Sequence, residues 1–265
     1  MGIRLCSLSS GSSGNCIYVG SEDSGLLVDC GVSGKEILGN LNNIGVCSST
    51  IRGILVTHEH SDHIRSIGIV SRKLNIPIYA NINTWNSMAD LIGKVKTENI
   101  KYFTVGEELD IGGMGIRSYS IPHDAVDPVG FCFRKGSRKV SIATDLGYFS
   151  DNVKENISGS DMVLLESNHD IEMLKVGRYP YFLKRRILSE HGHLSNEAAG
   201  HAVYELLQTG VKDVLLGHLS KENNFPELAY ETVKGILEEK KVRVNEDIRL
   251  ELAPRSGVSR YYEIK

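Results

Sequence analysis

The stretch RGILVTHEHSDHIRSIG, residues 52–68, sets His58, His60, Asp62 and His63 within six positions. Neutral imidazoles and a carboxylate are ligands for zinc, manganese or iron. If the chain is extended up to His60, His58 and His60 project to the same side and can grip one ion together. Asp62 and His63 stand just beyond, where Ser61 is the kind of residue that caps a helix. Their direction differs, so they can serve a second ion. The zincin pattern HExxH is excluded, because Asp62 stands where its second histidine must be. One short cluster cannot close two sites, so further ligands must come from afar. His123 in YSIPHDAVDP, Asp145 in SIATDLG and His218 in VLLGHLS are the candidates.

The elements that must carry these residues share a pattern. GLLVD ends at Asp29, GILVTH at His58, VSIATD at Asp145, MVLLE at Glu166 and DVLLGH at His218. Each run is short and rich in Val, Ile and Leu, which suits a strand buried on both faces. An acid or histidine after one strand is an ordinary cap or loop residue. Five such endings imply that one edge of the sheets carries a polar site, and α/β folds do gather sites at the carboxyl ends of strands. Helices are expected over SDHIRSIGIVSRKLN, with Ser61 as N-cap, over TWNSMADLIGKVK and over PELAYETVKGILEEKK. Another is expected over SNEAAGHAVYELLQTG, with Ser195 as cap and Gly210 as stop. SLSSGSSGNC reads as a turn between strands. Its residues 11–15, GSSGN, can offer backbone N–H groups to a phosphate but lack the lysine of a P-loop, so a tight hairpin turn is expected.

The 265 residues are 41% hydrophobic and 24% charged, as in a soluble globular protein large enough to bury a core without staples. No apolar run has membrane-spanning length. The opening MGIRLCSLSSGSSGN has no secretory core, and Cys6 stands where a myristoylation pattern needs Ser or Thr. Cys6, Cys16, Cys30, Cys47 and Cys132 are odd in number and form no CxxC pair. They point to free thiols in a reducing cytoplasm, with no disulfide-linked partner. A net charge of −3 excludes a generic nucleic-acid coat protein. It leaves room for a nucleic-acid enzyme in which metal ions and a local basic patch face the phosphates. LKVGRYPYFLKRRILSE is such a patch. Lys175, Arg178, Lys184, Arg185 and Arg186 suit phosphates, and Tyr179 and Tyr181 suit stacking on bases. A solvated helix face is the alternative.

THEHSDH, preceded by Asp29 and followed by His123, Asp145 and His218, resembles the metallo-β-lactamase-fold hydrolases. Their pattern is HxHxDH, then His, then Asp, then His. The likeness runs through almost the whole chain. CSLSSGSSGNCIYV, ESNHD and GHLSNEAAG bring it closer to the YycJ (WalJ) group, bacterial proteins regarded as 5′-to-3′ DNA exonucleases. The resemblance implies an α/β fold, a four-layer αββα sandwich with its site at one edge of two facing sheets, formed by residues 1–265 as a single metallo-hydrolase domain. It implies two divalent ions, zinc or else manganese or iron. One takes His58, His60 and His123; the other takes Asp62, His63 and His218; Asp145 bridges them. Asp29 would brace the histidine loop from behind. Asp145, where β-lactamases of the best-known type carry Cys, points away from antibiotic hydrolysis.

Two close ions suit in-line displacement at phosphorus by a hydroxide held between them, with Asp62 among the catalytic residues. The leaving oxygen then needs a proton. In SEHGHLSNEAAGH, His191, His193 and His201 exceed what the ions require. In related phosphodiesterases such as RNase Z, a histidine in a His-x-Ser/Thr segment is the acid, oriented by a glutamate after a core strand. The resemblance assigns those roles to His193 and Glu166; capping or packing at the helix start is the alternative for His193. His191 and His169 are candidates for supporting contacts, and His201, four residues from Glu197 on a helix, reads as structural. Only 72 residues separate Asp145 from His218, too few for the β-CASP-type cap domain of the RNase J branch. The expectation is a compact dinuclear phosphodiesterase of the cytoplasm, a 5′-to-3′ DNA exonuclease. The alternatives are a hydrolase of a small phosphodiester or cyclic phosphate, and a non-enzymatic nucleic-acid-binding module that uses metal as structure.

Overall fold

Each of the five apolar runs is a strand, and the acids and histidines that end them collect on one side of two sheets. The computed structural model describes residues 2–265. Its strands in chain order are β1 (Ile3–Ser9), β2 (Cys16–Gly20), β3 (Gly25–Val28), β4 (Ile51–Leu55), β5 (Ile78–Ala80), β6 (Ile100–Tyr102) and β7 (Glu108–Asp110). There follow β8 (Gly115–Ser120), β9 (Val129–Lys135), β10 (Arg138–Ala143), β11 (Met162–Glu166), β12 (Asp213–Gly217), β13 (Arg249–Leu252) and β14 (Tyr262–Ile264). Among the described residues they form two seven-stranded sheets, ordered β14-β1-β2-β3-β4-β5-β6 and β13-β12-β11-β10-β9-β8-β7. Antiparallel hairpins start each sheet, and parallel strands complete it: β3 beside β4, β5 and β6 in one, β10 beside β11, β12 and β13 in the other.

Alternation along the parallel strands builds the layers. Leu26 and Val28 of β3 meet Ile142, Leu164 and Leu215 of the other sheet in a core between the sheets. The intervening Leu27 faces outward against Ile37, Leu41, Ile67 and Val70. Val163, Leu165, Val214 and Leu216 likewise face outward, against Val153, Ala199, Val203 and Val233. Both faces of these strands are therefore buried, which is why they read as continuous apolar runs rather than as alternating ones.

The outer layers are helices: α1 (Gly34–Asn43), α2 (Ser61–Ile64), α3 (Ile67–Leu74) and α4 (Ile82–Met88) on the first sheet's side, then α5 (Asp151–Ile157), α6 (Ile171–Val176), α7 (Tyr181–Ile187), α8 (Asn196–Gln208) and α9 (Pro226–Glu239). The αββα order expected from the family pattern is the one observed. Ser195 caps α8, its Oγ accepting from Ala198 N at 3.1 Å, and Gly210 follows with φ +96°.

Two helices differ from expectation. The helix expected from Ser61 to Asn75 is two, because Ser66 N turns aside to donate to Cys30 O (2.8 Å), and His60 rather than Ser61 is the N-cap of the first. The helix expected over residues 84–96 starts earlier, at Ile82 behind its cap Asn81, and stops at Met88. The chain then folds back so that buried Ile92 offers its carbonyl to Arg72 (3.2 Å). In both cases a tertiary hydrogen bond outweighs local helical preference.

Candidate metal centre

Three of the site residues leave their strands in a left-handed conformation: Asp29 (φ 60°), Asp145 (φ 60°) and His218 (φ 57°). Such angles are uncommon outside glycine and cost energy, so surrounding contacts must impose them. Here they turn the chain at once after β3, β10 and β12 and deliver each side chain to the sheet edge. His218 is held by its own N–H, which donates to Ser10 Oγ (2.8 Å). Asp29 N donates to Leu55 O (2.9 Å).

The histidine loop follows β4 and is fastened from behind. Asp29 Oδ1 accepts from Thr57 N (2.9 Å), and Oδ2 accepts from Thr57 Oγ1 (2.7 Å) and from His63 Nδ1 (2.8 Å). His58 Nδ1 in turn donates to Thr57 Oγ1 (2.9 Å). Cys30 N reaches His63 O and Asn15 N reaches Asp62 O, each at 2.8 Å. This approach needs Gly31, where a Cβ would lie 1.6 Å from Asp62 O. Two further rings are set in the same way: His123 Nδ1 donates to Gly192 O (3.1 Å) and His218 Nδ1 to Glu166 Oε1 (2.7 Å).

With Nδ1 engaged, Nε2 is the nitrogen that four imidazoles turn inward, and in the neutral ring it carries the lone pair a metal ligand requires. His60 alone presents Nδ1, which lies 3.0 Å from His58 Nε2 and 3.3 Å from His123 Nε2. Those three nitrogens form one nest. A second is formed by Asp62 Oδ2, His63 Nε2 and His218 Nε2, with Asp62 Oδ2 at 3.5 and 3.8 Å from the two nitrogens. Asp145 stands between them, Oδ2 at 3.5 Å from His63 Nε2 and Oδ1 at 3.8 Å from His123 Nε2. Asp145 Oδ2 and His218 Nε2 are buried without a hydrogen-bond partner among the described residues. Orphaned atoms of this kind, aimed into a nest of N and O donors, fit divalent metal ions and little else.

Charge follows the same division. Burial and the neighbouring imidazoles push His58 well below the usual histidine range, and burial also lowers His123, so both are neutral. Burial works against charge on His63 as well, yet Asp145, Asp29 and Asp62 together push it up to about 9. Asp62 and Glu166 would be raised by burial, but their histidine partners hold both far below the normal carboxylate range.

Glu166, at the end of β11 and fully buried, holds two rings at once. Its Oε1 accepts from His218 Nδ1 and, at 2.8 Å, from His193 Nδ1; its Oε2 accepts from Leu146 N (2.6 Å) and Leu194 N (3.1 Å). Both oxygens are thus occupied, which makes Glu166 a brace rather than a ligand. His193 is part-exposed and lines a cavity of about 340 Å³ above the two nests, together with His60, Asp62, Asp145 and His218.

The lining of that cavity also includes Tyr179 and, from α7, Leu183, Arg186 and Ile187. Arg186 is ion-paired with Asp124. Lys184 Nζ donates to Lys175 O (2.7 Å), while Arg178 and Arg185 lie exposed outside the cavity. His191 and His201 are exposed. His169 is buried without a partner for either nitrogen, and burial lowers it to about 4, so it is neutral and outside the nests. Thr57, Asn15 and the Gly192 carbonyl are parts that sequence reasoning missed. Asn15 Nδ2 lies 3.4 Å from Asp62 Oδ2, and its Oδ1 accepts from Gly11 N (2.9 Å), so the GSSGN turn belongs to the site.

A sheet edge with this donor set defines a class. Residues 25–219, which take in every candidate metal ligand from His58 to His218 and the brace Asp29, match the beta-lactamase superfamily domain, and the chain belongs to that metallo-β-lactamase superfamily of hydrolases. Within it, the chain is 44% identical over 246 residues to the Bacillus anthracis protein named exodeoxyribonuclease YycJ, covering 93% of each. It is 40% identical over 252 residues to exodeoxyribonuclease WalJ of Streptococcus pneumoniae, covering 94% of each. The crystal structure of the metallo-beta-lactamase fold protein YhfI from Bacillus subtilis superposes with a TM-score of 0.74 at 17% identity, over 99% of this chain and 100% of that one, a likeness of fold alone. No helix among the described residues is long and apolar enough to cross a membrane.

Proposed function

We propose that the protein is a metal-dependent exodeoxyribonuclease that removes nucleotides from a 5′ end, acting in the cytoplasm as one domain without a cap. The observation that carries the reading is the pair of donor nests joined by Asp145, beside an imidazole, His193, that a buried carboxylate holds at the cavity. The names of the two relatives above support the choice of DNA. His58, His60 and His123 would hold one divalent ion and Asp62, His63 and His218 another, with Asp145 shared; zinc, manganese and iron all suit N and O donors. Such ions supply charge stabilisation at the phosphate oxygens and activate the attacking water.

The chain's own residues do the rest. Asp29 and Thr57 fix His63 and His58 so that no reorganisation is needed when substrate arrives. Asp62, part-exposed at the cavity floor, orients the water. Glu166 takes His193 Nδ1–H and its negative charge supports the imidazolium form, in which Nε2–H gives its proton to the leaving 3′ oxygen and the ring returns to neutral. Arg178, Lys184, Arg185 and Arg186 neutralise phosphates, and Tyr179 meets a base or sugar at the wall.

End-labelled DNA tests this directly, with zinc and with manganese. Stepwise release of mononucleotides from the 5′ end is expected. Inert DNA alongside turnover of bis(p-nitrophenyl) phosphate would overturn it in favour of a small phosphodiester substrate.

A further inference from the structure

Three carboxylates line the catalytic cavity, Asp62, Asp124 and Asp145, and among the described residues a single lysine or arginine, Arg186. Asp62 and Asp145 serve the donor nests. Asp124 does not, since no group of donors close enough to share an ion includes it among the described residues. It is nonetheless built into the same sheet edge. Its own N–H donates to His191 O (3.0 Å), and His123, just before it, donates to Gly192 O. Two residues on, Val126 N donates to Glu59 Oε1 (2.9 Å), between His58 and His60 in the chain. The backbone around Asp124 is thus tied both to the histidine loop and to the loop that follows α7.

The two oxygens of Asp124 have different neighbours. Oδ2 accepts from Arg186 Nε. Oδ1 is buried with no hydrogen-bond partner among the described residues and lies 3.5 Å from His123 Nε2. The carboxylate therefore stands between the guanidinium and the first nest. A guanidinium is a planar fork of five N–H donors. Only Nε is engaged here; Nη1 and Nη2 make no hydrogen bond among the described residues. A fork tethered by one edge, with its other edge free, suits bidentate recognition of a phosphate.

We propose that Asp124 is a positioning residue for substrate: it holds Arg186 so that the free edge of the fork receives the phosphate next to the scissile one along the strand. This deepens the nuclease reading and rests on it. The scissile phosphate belongs to the ions of the two nests. The guanidinium stands one carboxylate further out, and a second phosphate entering the cavity meets no other lysine or arginine among the described residues that line it. Because Asp124 already fixes the long arginine side chain, little rotamer freedom is left to lose when DNA binds.

The test is a cycle between fork and phosphate. The metal-loaded protein and its variants release the first nucleotide from two 5′-labelled DNAs, one natural and one with an uncharged methylphosphonate at the second linkage. The wild-type protein should lose about ten- to a hundredfold in kcat/KM on the uncharged linkage, the worth of a charge-assisted contact. Arg186→Met should lose as much on the natural DNA, mostly through KM, and almost nothing further on the modified one. Arg186→Lys, which keeps the charge without the fork, should show part of that loss. Asp124→Asn should show a smaller loss of the same kind. Combined with Arg186→Met it should be no worse than Arg186→Met alone, because Asp124 acts through the fork. Metal content and melting midpoints should stay close to wild type throughout. Losses from Arg186→Met and from the methylphosphonate that multiply independently would overturn the proposal, as would an Asp124→Asn loss that adds in full to that of Arg186→Met. Loss of metal in Asp124→Asn would overturn it by making Asp124 a ligand. All three results leave the nuclease reading standing. Failure of the wild-type protein to digest either DNA would overturn both.

Discussion

The histidine loop and the α7 segment line one cavity and are built on opposite terms. In the loop, His58 and His63 are at most 1% exposed, and each Nδ1 is fastened to a named acceptor. In the segment, Tyr181 and Phe182 are mostly exposed, and the ties are a few backbone bonds, such as His193 N to Ile187 O (3.0 Å), and the Arg186–Asp124 pair. The difference separates two jobs. Chemistry at phosphorus needs groups that do not move when charge develops. Holding successive stretches of a strand needs a surface that tolerates different occupants. Replacements on the two sides should therefore fail in different ways.

The largest effect belongs to His193, which sits at the junction of the two. His193→Ala should retain fold and metals, and its turnover on DNA should fall by roughly a hundred- to ten-thousandfold, the loss expected for a general acid. On a substrate with p-nitrophenolate as leaving group, which needs little protonation, the loss should be much smaller. Equal losses on both substrates with metals retained would make His193 a positioning residue instead. Loss of metal would mean that the Glu166 brace serves His193 as a ligand.

Behind the loop, Asp29→Asn should weaken metal affinity by roughly 10–100-fold, because it frees His63 and Thr57 together. The pH dependence has a definite sign. A ligand must be the neutral imidazole, and His63 is pushed up to about 9, so binding displaces its proton. Below that value affinity should rise with pH. Competition titrations at pH 6, 7 and 8 measure both effects; affinity that is flat or falls with pH would contradict the assignment of His63.

How much of this is legible in the sequence follows from which interactions are local. The strands are legible because burial on both faces writes itself into every residue of a run, as in MVLLE. The ligand types are legible because imidazoles and carboxylates have few other reasons to crowd together. What is not legible depends on partners far along the chain. Thr57 and Asn15 stand inside the quoted stretches, but a hydroxyl or amide has no metal signature. Their use appears only when Asp29, 28 residues from Thr57, and Asp62, 47 residues from Asn15, come alongside. The Gly192 carbonyl that orients His123 has no side-chain signal, although glycine is required there, since a Cβ would lie 2.1 Å from Ile187 O. The break between α2 and α3 is hidden for the same reason: it serves the Cys30 carbonyl, not the helix.

The smallest expected effect lies on the segment, and it sharpens the contrast most. Arg178 is exposed and makes no ion pair among the described residues, so Arg178→Ala removes nothing that holds the fold. Its stability should stay within about 0.5 kcal/mol of wild type. If Arg178 neutralises a phosphate, it releases counterions when DNA binds. The slope of log affinity against log salt should then become shallower by about 0.7 for a single strand, with a similar loss of affinity for every sequence. Anisotropy titrations at several salt concentrations read the slope, and thermal melting reads the stability. An unchanged slope would take Arg178 out of the DNA path. A marked fall in melting temperature would mean that the segment is a structural part of the fold, and that the division between a fixed loop and an adaptable wall is wrong.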